Sequence, residues 1–220
     1  MYLTLIFLGI VMATVIMWLL RQTFNTQPWV PEAADDAVSG SSLDGNSKTI
    51  ALSVFLAVAT SVFALFISAN TLRMEEPDWR PLTDPNILWY NTAILVLASI
   101  AYHWTRNAAV QGIDSRLKPG LLIAGGLTIL FLIGQLIAWQ QINAAGFYMT
   151  NNPANAFFYV LTAVHGIHML GGMWVWARST VRVWTGAEAD AVRLSIELCT
   201  VYWHFLLLVW VVLFGVLLST

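Results

Sequence analysis

Ala156-Phe-Phe-Tyr-Val-Leu-Thr-Ala-Val-His165-Gly-Ile-His168-Met-Leu-Gly-Gly-Met-Trp174-Val-Trp-Ala177 contains no Asp, Glu, Lys or Arg. A helix crosses a hydrocarbon core of about 30 Å with roughly 20 residues at about 1.5 Å each, so this run is long enough to span a bilayer. The next apolar run, Ile196–Leu218, holds Glu197, Trp203 and His204. Ionisable groups in hydrocarbon cost on the order of 3 kcal/mol each, so each needs a physical reason to be there.

Working outward, four more segments meet the length requirement: Tyr2–Leu20, Ile50–Ala69, Ile87–Thr105 and Gly120–Trp139. The first has no positive residue ahead of it and has Arg21 directly behind, flanks that fit a spanning helix rather than a signal peptide. Six spans, 58% hydrophobic residues, 10% charged residues and a mean hydropathy of +0.70 define an all-α, polytopic membrane bundle. The whole chain, 1–220, reads as one membrane domain.

The polar connections complete the outline. Gln27–Ser47 is rich in Pro, Gly, Ser and acid, and reads as a mobile loop. Arg73–Pro85, with three prolines and Trp79, reads as an extended segment on the membrane surface, and Asp84-Pro85 suits the start of the next helix. Leu117-Lys-Pro-Gly120 is expected to restart a helix, and Thr150–Asn155 to turn into the fifth. Arg21, Lys48, Arg106, Arg116, Lys118, Arg178, Arg182 and Arg193 fall on one side, and Arg73 and Arg80 on the other. The positive-inside rule places the first group in the cytoplasm and both termini outside, which in a bacterial inner membrane is the periplasm.

Composition excludes several functions. A net charge of -2 supplies no basic surface for a nucleic acid. The single cysteine, Cys199, rules out a disulfide framework or a cysteine metal cluster, and in an apolar run it reads as a small buried hydrophobe. Trp89, Trp104 and Trp139 stand at predicted helix ends, as an aromatic belt requires.

His165 and His168 share a helix face. By depth they lie roughly 14 and 18 Å below the outer boundary, and His204 roughly 12 Å above the inner one, so His168 and His204 are nearly level and can meet across neighbouring helices. A haem or metal site needs facing histidine pairs or several Glu-x-x-His units, which one intramembrane glutamate does not provide. The simpler reading is neutral histidines acting as polar ties, with Gly166, Gly171 and Gly172 admitting close approach. Glu197, near a helix N-terminus, is expected to reach headgroup water or pair with Arg178 or Arg106. His103 reads as an interfacial residue. The residues alone describe a membrane subunit without chemistry of its own, with a transporter or haem-binding protein as the competing classes.

Phe157-Phe-Tyr-Val-Leu-Thr-Ala-Val-His165-Gly-Ile-His168-Met-Leu-Gly-Gly172 resembles the TG-x-HG-x-H-x-x-GG helix of subunit III of haem–copper respiratory oxidases. Glu197-Leu-Cys-Thr-Val-Tyr-Trp203-His204-Phe-x3-Val209-Trp210 is similar to that family's closing helix. Asp84-Pro-Asn-Ile-Leu-Trp-Tyr-Asn91-Thr92 and Phe131-Leu-Ile-Gly134-Gln135-x3-Trp139 agree as well, and the likeness covers residues 50–218. The resemblance implies a subunit that binds no haem or copper and has no catalytic residue. Such a subunit packs with subunits I and II of an oxidase reducing oxygen to water, binds phospholipid in a cleft, and supports proton uptake and enzyme lifetime. An accessory subunit of a nitric oxide reductase or quinol oxidase is the near alternative. By motif, His165, His168, Glu197, Trp203 and His204 are the expected lipid or subunit-interface positions. Thr60-Ser61 stands where the family usually carries Ser-Glu, so Ser61 replaces the family's intramembrane glutamate. Leu207 stands where an aspartate is frequent. Six helices fall between the family's commoner seven and five.

Overall fold

The computed structural model describes residue 17, residues 41–81 and residues 86–219. Five helices lie among them: α1 (Ser41–Arg73), α2 (Ile87–Val110), α3 (Asp114–Ala144), α4 (Pro153–Trp184) and α5 (Ala189–Leu218). Each is long and apolar enough to cross a membrane. The predicted span Tyr2–Leu20 lies, apart from Met17, outside the described residues, as does 27–40 of the predicted loop.

All five helices overrun their apolar runs. Hydropathy marks the stretch inside hydrocarbon, whereas a helix ends only where its backbone is capped, which happens in the interface or beyond it. Two expectations are corrected by this. Residues 41–47 are the opening turns of α1 rather than loop, because an apolar helix propagates outward at little cost once nucleated. Pro119 does not restart a helix but lies inside α3, which begins at Asp114. Near the N-terminus a proline forfeits only one backbone hydrogen bond, at a depth where water can take the freed carbonyl.

Two compact units divide the described chain, Met1–Ala64 and Leu65–Thr220. In the first, the hydroxyls of Ser53, Thr60 and Ser61 donate to the carbonyls four residues earlier, Thr49, Leu56 and Ala57, at 3.0, 2.7 and 3.0 Å. The second contains the end of α1 and the helices α2 to α5.

Three short connections fold the second unit, and each follows the same rule. Gly112, Gly146 and Gly186 have φ of 67°, 85° and 93°, a region that favours glycine. The following amides of Ile113, Phe147 and Ala187 reach back to the carbonyls of Ala108, Ile142 and Arg182 at 2.9, 3.1 and 3.0 Å. These are Schellman closures, which satisfy the last carbonyls of a helix and reverse the chain. Helices joined so tightly run antiparallel. They form a ring in which α2 packs on α3 and α5, and α4 packs on α5 and α3.

At the end where α2 stops and α3 begins, Ala108, Ala109, Leu117, Leu121, Val183, Ala189, Val192 and Ile196 form a closed apolar cluster. Over it, the carboxylate of Asp114 accepts from the Ala189 amide at 2.8 Å, so the first turn of α3 caps the first turn of α5. A carboxylate there satisfies an orphan donor and faces the positive helix end. Asp114→Ala is therefore expected to cost about 1 kcal/mol and to lower the melting temperature by about 2–4 °C. Thermal unfolding in detergent measures it, and Asp114→Asn, which keeps the acceptor oxygen, should recover more than half.

At the opposite end the segment after α1 is turned and anchored rather than extended. Arg73 donates twice to Asp78, at 2.7 and 2.5 Å, which holds the exposed Asp78 carboxyl below the usual carboxylate range. The backbone of Arg80 exchanges hydrogen bonds with the Asn152 side chain, whose oxygen also accepts from Ala154 and so caps α4.

Candidate functional site

α4 and α5 carry the predicted residues, and their face angles decide what each one meets. His165 is buried, and its Nε2 donates to the Leu206 carbonyl of α5 at 3.1 Å. Its ring lies 5.2 Å from Trp210 and 5.9 Å from Phe131. This is the expected polar tie between helices, made to a backbone carbonyl rather than to a second imidazole. His168, one turn on and half-buried, donates from Nδ1 to the Val164 carbonyl of its own helix at 2.8 Å.

His204 does not turn toward His168. Tyr202 faces α4, donating from its hydroxyl to the His168 carbonyl at 2.8 Å, and two residues along a helix is a rotation of about 200°. His204 therefore meets α2 instead. Its Nδ1 lies 2.5 Å from the Ser99 hydroxyl, and its ring stacks 5.9 Å from His103. The level match in depth was sound, but the two side chains leave α4 and α5 in different directions.

Trp203 is wholly buried and stacks on Tyr102 at 4.9 Å with 14° between planes. It shapes the interior of the bundle and does not face outward. Glu197 is partly exposed and pairs with Arg193 one turn earlier at 3.2 Å, rather than with Arg178 or Arg106. Ser61 is exposed, with its hydroxyl closed on Ala57. A residue that settles its own hydroxyl adds little cost in hydrocarbon, which a carboxylate in its place would not manage.

The glycines separate in the same way. A Cβ on Gly172 would stand 2.6 Å from the Tyr202 ring, so this glycine does admit α5. Gly166 and Gly171 have open space around them within this chain. Trp139 is not a belt residue. It points to α4 and donates to Thr162 at 3.0 Å, while Trp89 and Trp104 are exposed near helix ends as a belt requires.

The remaining motif residues close further inter-helix contacts. Trp210 donates from Nε1 to the Thr92 hydroxyl at 2.9 Å, and Asn91 stands directly over Gly134. These residues sit in one interior, with Phe131 edge-on to Trp210 at 5.0 Å. His103 and Ser99 were not singled out as site residues, yet they complete the surroundings of His204. Their signal was the polar stripe Ser99, His103, Arg106, at helical spacing along α2. Among the described residues no three His, Cys, Asp or Glu side chains gather.

Comparison with known proteins adds the family. Residues 51–219 match the model of cytochrome c oxidase subunit III. Cytochrome c oxidase subunit 3 of Synechocystis sp. is 28% identical over 167 residues, covering 73% of this chain and 70% of that protein. The probable cytochrome c oxidase subunit 3 of Mycobacterium leprae is 28% identical over 174 residues, covering 76% and 82%. For cytochrome c oxidase subunit 3 of Cyanidium caldarium the figures are 27% over 129 residues, 59% of this chain and 47% of that one, so there the chain spans about half its relative's length.

Proposed function

Because the chain belongs to the cytochrome c oxidase subunit III family, it is a membrane subunit of a haem–copper oxidase, and we propose that it serves the complex without chemistry of its own. In this reading it packs against catalytic subunit I and alongside subunit II, leaves haem and copper to them, and holds phospholipid in a cleft between its helices. It supports proton uptake and keeps the enzyme intact through turnover.

The observation that carries this reading is where the motif residues spend their hydrogen bonds. Thr92 with Trp210, Thr162 with Trp139, and His165 with the Leu206 carbonyl all tie one helix to the next. Groups occupied in this way hold a shape, and a shape is what a supporting subunit offers its partner. Of the five predicted interface residues, Glu197 and His204 reach the outside, while His165 and Trp203 act from within.

The same reading has the chain span the membrane six times with both termini outside, in a bacterial inner membrane. The alternation of α2 to α5 supports that orientation, because it brings Arg106, Arg116, Lys118, Arg178, Arg182 and Arg193 to one end.

Mild-detergent purification through a tag on this chain is the test. The expected result is co-isolation of a haem- and copper-bearing subunit that reduces oxygen. A stable, haem-free homo-oligomer would overturn the reading, and a haem-bearing partner that reduces nitric oxide instead would reassign the complex. With the oxidase in hand, His204→Leu or Glu197→Ala should leave the initial rate near that of the parent but shorten the time over which turnover lasts. An immediate loss of oxygen reduction in an intact complex would contradict the supporting role.

A further inference from the structure

We infer that Asn91 of α2 and Gln135 of α3 hold internal water between them, in a binding site made by two buried side-chain amides.

Gln135 is 6% exposed and Asn91 only 1%. Among the described residues, Nε2 and Oε1 of Gln135 and Nδ2 of Asn91 nevertheless find no hydrogen-bonding partner. Buried polar groups in native proteins are paired, either with protein or with ordered water. Turning the Gln135 amide over exchanges its oxygen with its nitrogen and changes nothing, because both atoms are unpartnered. A direct bond from Asn91 Nδ2 to Gln135 Oε1 would still leave Gln135 Nε2 without an acceptor. Water both donates and accepts, so it can serve all of these atoms. A buried water makes about three hydrogen bonds to polar groups that lack other partners, which is what these two amides offer.

The backbone brings the two amides to one place. Gly134 has no side chain, and Asn91 lies over it: a Cβ there would stand 2.8 Å from Asn91 Cγ and 3.0 Å from Nδ2. Gln135 is the next residue, its Cα about 3.8 Å further along α3. A side chain as long as glutamine spans that separation with water between. Nearby polar groups are already occupied. Thr92 returns its hydroxyl to the Leu88 carbonyl at 2.8 Å and accepts from Trp210 at 2.9 Å, and Trp139, one turn from Gln135, donates to Thr162 at 3.0 Å. Phe131 and Ala138, on the same face of α3 as Gln135, are buried and offer no hydrogen bond. The two amides are therefore left to each other and to water.

Water-edited solid-state NMR tests the site on the full chain, labelled with nitrogen-15, in bilayers of lipid with deuterated acyl chains. Gln135→Leu assigns the Gln135 signal by its loss. In the parent chain, polarisation is expected to pass from water to the side-chain amides of Gln135 and Asn91 at short mixing times, several-fold faster than to the backbone amide of the wholly buried Leu161. Asn91→Leu, which keeps the volume and removes the amide, should slow the transfer to Gln135 several-fold. Transfer to Gln135 no faster than to Leu161 would overturn the site, as would transfer between the two amides with none from water. Unchanged transfer to Gln135 in a folded Asn91→Leu chain would also overturn it, since Asn91 would then have no share in holding the water. Should Asn91→Leu fail to fold, the parent chain decides alone: both amides receive polarisation from water, or the proposal fails.

Discussion

Leucine at position 125 is expected to prevent the chain from reaching its folded bundle, whereas leucine at the adjacent position 126 is expected to be tolerated. A Cβ on Gly125 would stand 2.0 Å from the Trp176 ring, and the next two ring atoms lie at 2.3 and 2.7 Å. The ring has no easy retreat, because its Nε1 donates to the Leu121 carbonyl at 2.9 Å, one turn below the glycine on the same helix. Accommodating a side chain means expelling the indole, which loses that hydrogen bond, about 1 kcal/mol, and adds overpacking of about 1–3 kcal/mol or more. Gly126 has nothing near it and lies on the outward face of α3. The ratio of monodisperse to aggregated chain on size exclusion in detergent, at equal expression, distinguishes the two variants. Equal recovery of both would show that α3 and α4 do not approach through Gly125.

Trp210→Leu is the second large expectation. The indole is wholly buried, edge-on to Phe131 at 5.0 Å, 5.2 Å from His165 and stacked 6.4 Å from Phe214. Its Nε1 reaches Thr92 on α2. Leucine leaves a cavity at the junction of α2, α3, α4 and α5, and truncations of a buried aromatic cost about 3–5 kcal/mol. Thr92→Val removes that acceptor together with the hydroxyl's own bond to the Leu88 carbonyl, and should cost about 1–3 kcal/mol. The double variant should lose less than the sum, since the hydrogen bond can be lost only once. Denaturation in mixed micelles supplies the three values, and strict additivity would mean that the Trp210 N–H to Thr92 bond contributes nothing.

Much of this arrangement was legible in the residues, and the gaps have definite causes. The apolar runs located α1 to α5 because hydrocarbon thickness sets their length, but they missed the helix ends. Those ends are set by Gly112, Gly146 and Gly186 and the backbone closures they permit. The missing partners of a metal or haem site led to reading the histidines as ties, which His165 and His204 are, whereas His168 closes on its own helix. Depth arithmetic then paired His168 with His204, since it measures height along the bundle and carries no angle about the helix axis. The Tyr202 contact with α4 fixes that angle, and nothing in the spacing of α5 by itself announces it. Glu197 was matched to arginines on other helices, although Arg193 one turn away offers a shorter path.

Thr60 and Ser61 have a consequence for how the chain enters the membrane. With Ser53 and Thr71 they return their hydroxyls to α1's own backbone, so this segment is chemically settled as soon as it coils. It can leave the insertion machinery singly, before any later segment has been synthesised. Trp139, Trp176 and Trp210 carry N–H groups whose acceptors lie on other helices. Trp139 on α3 waits for Thr162 on the later α4, whereas Trp176 and Trp210 find Leu121 and Thr92 on helices already made. Insertion then has two tempos: α1 needs no partner for these hydroxyls, and α3 completes its hydrogen bonds only when α4 is beside it.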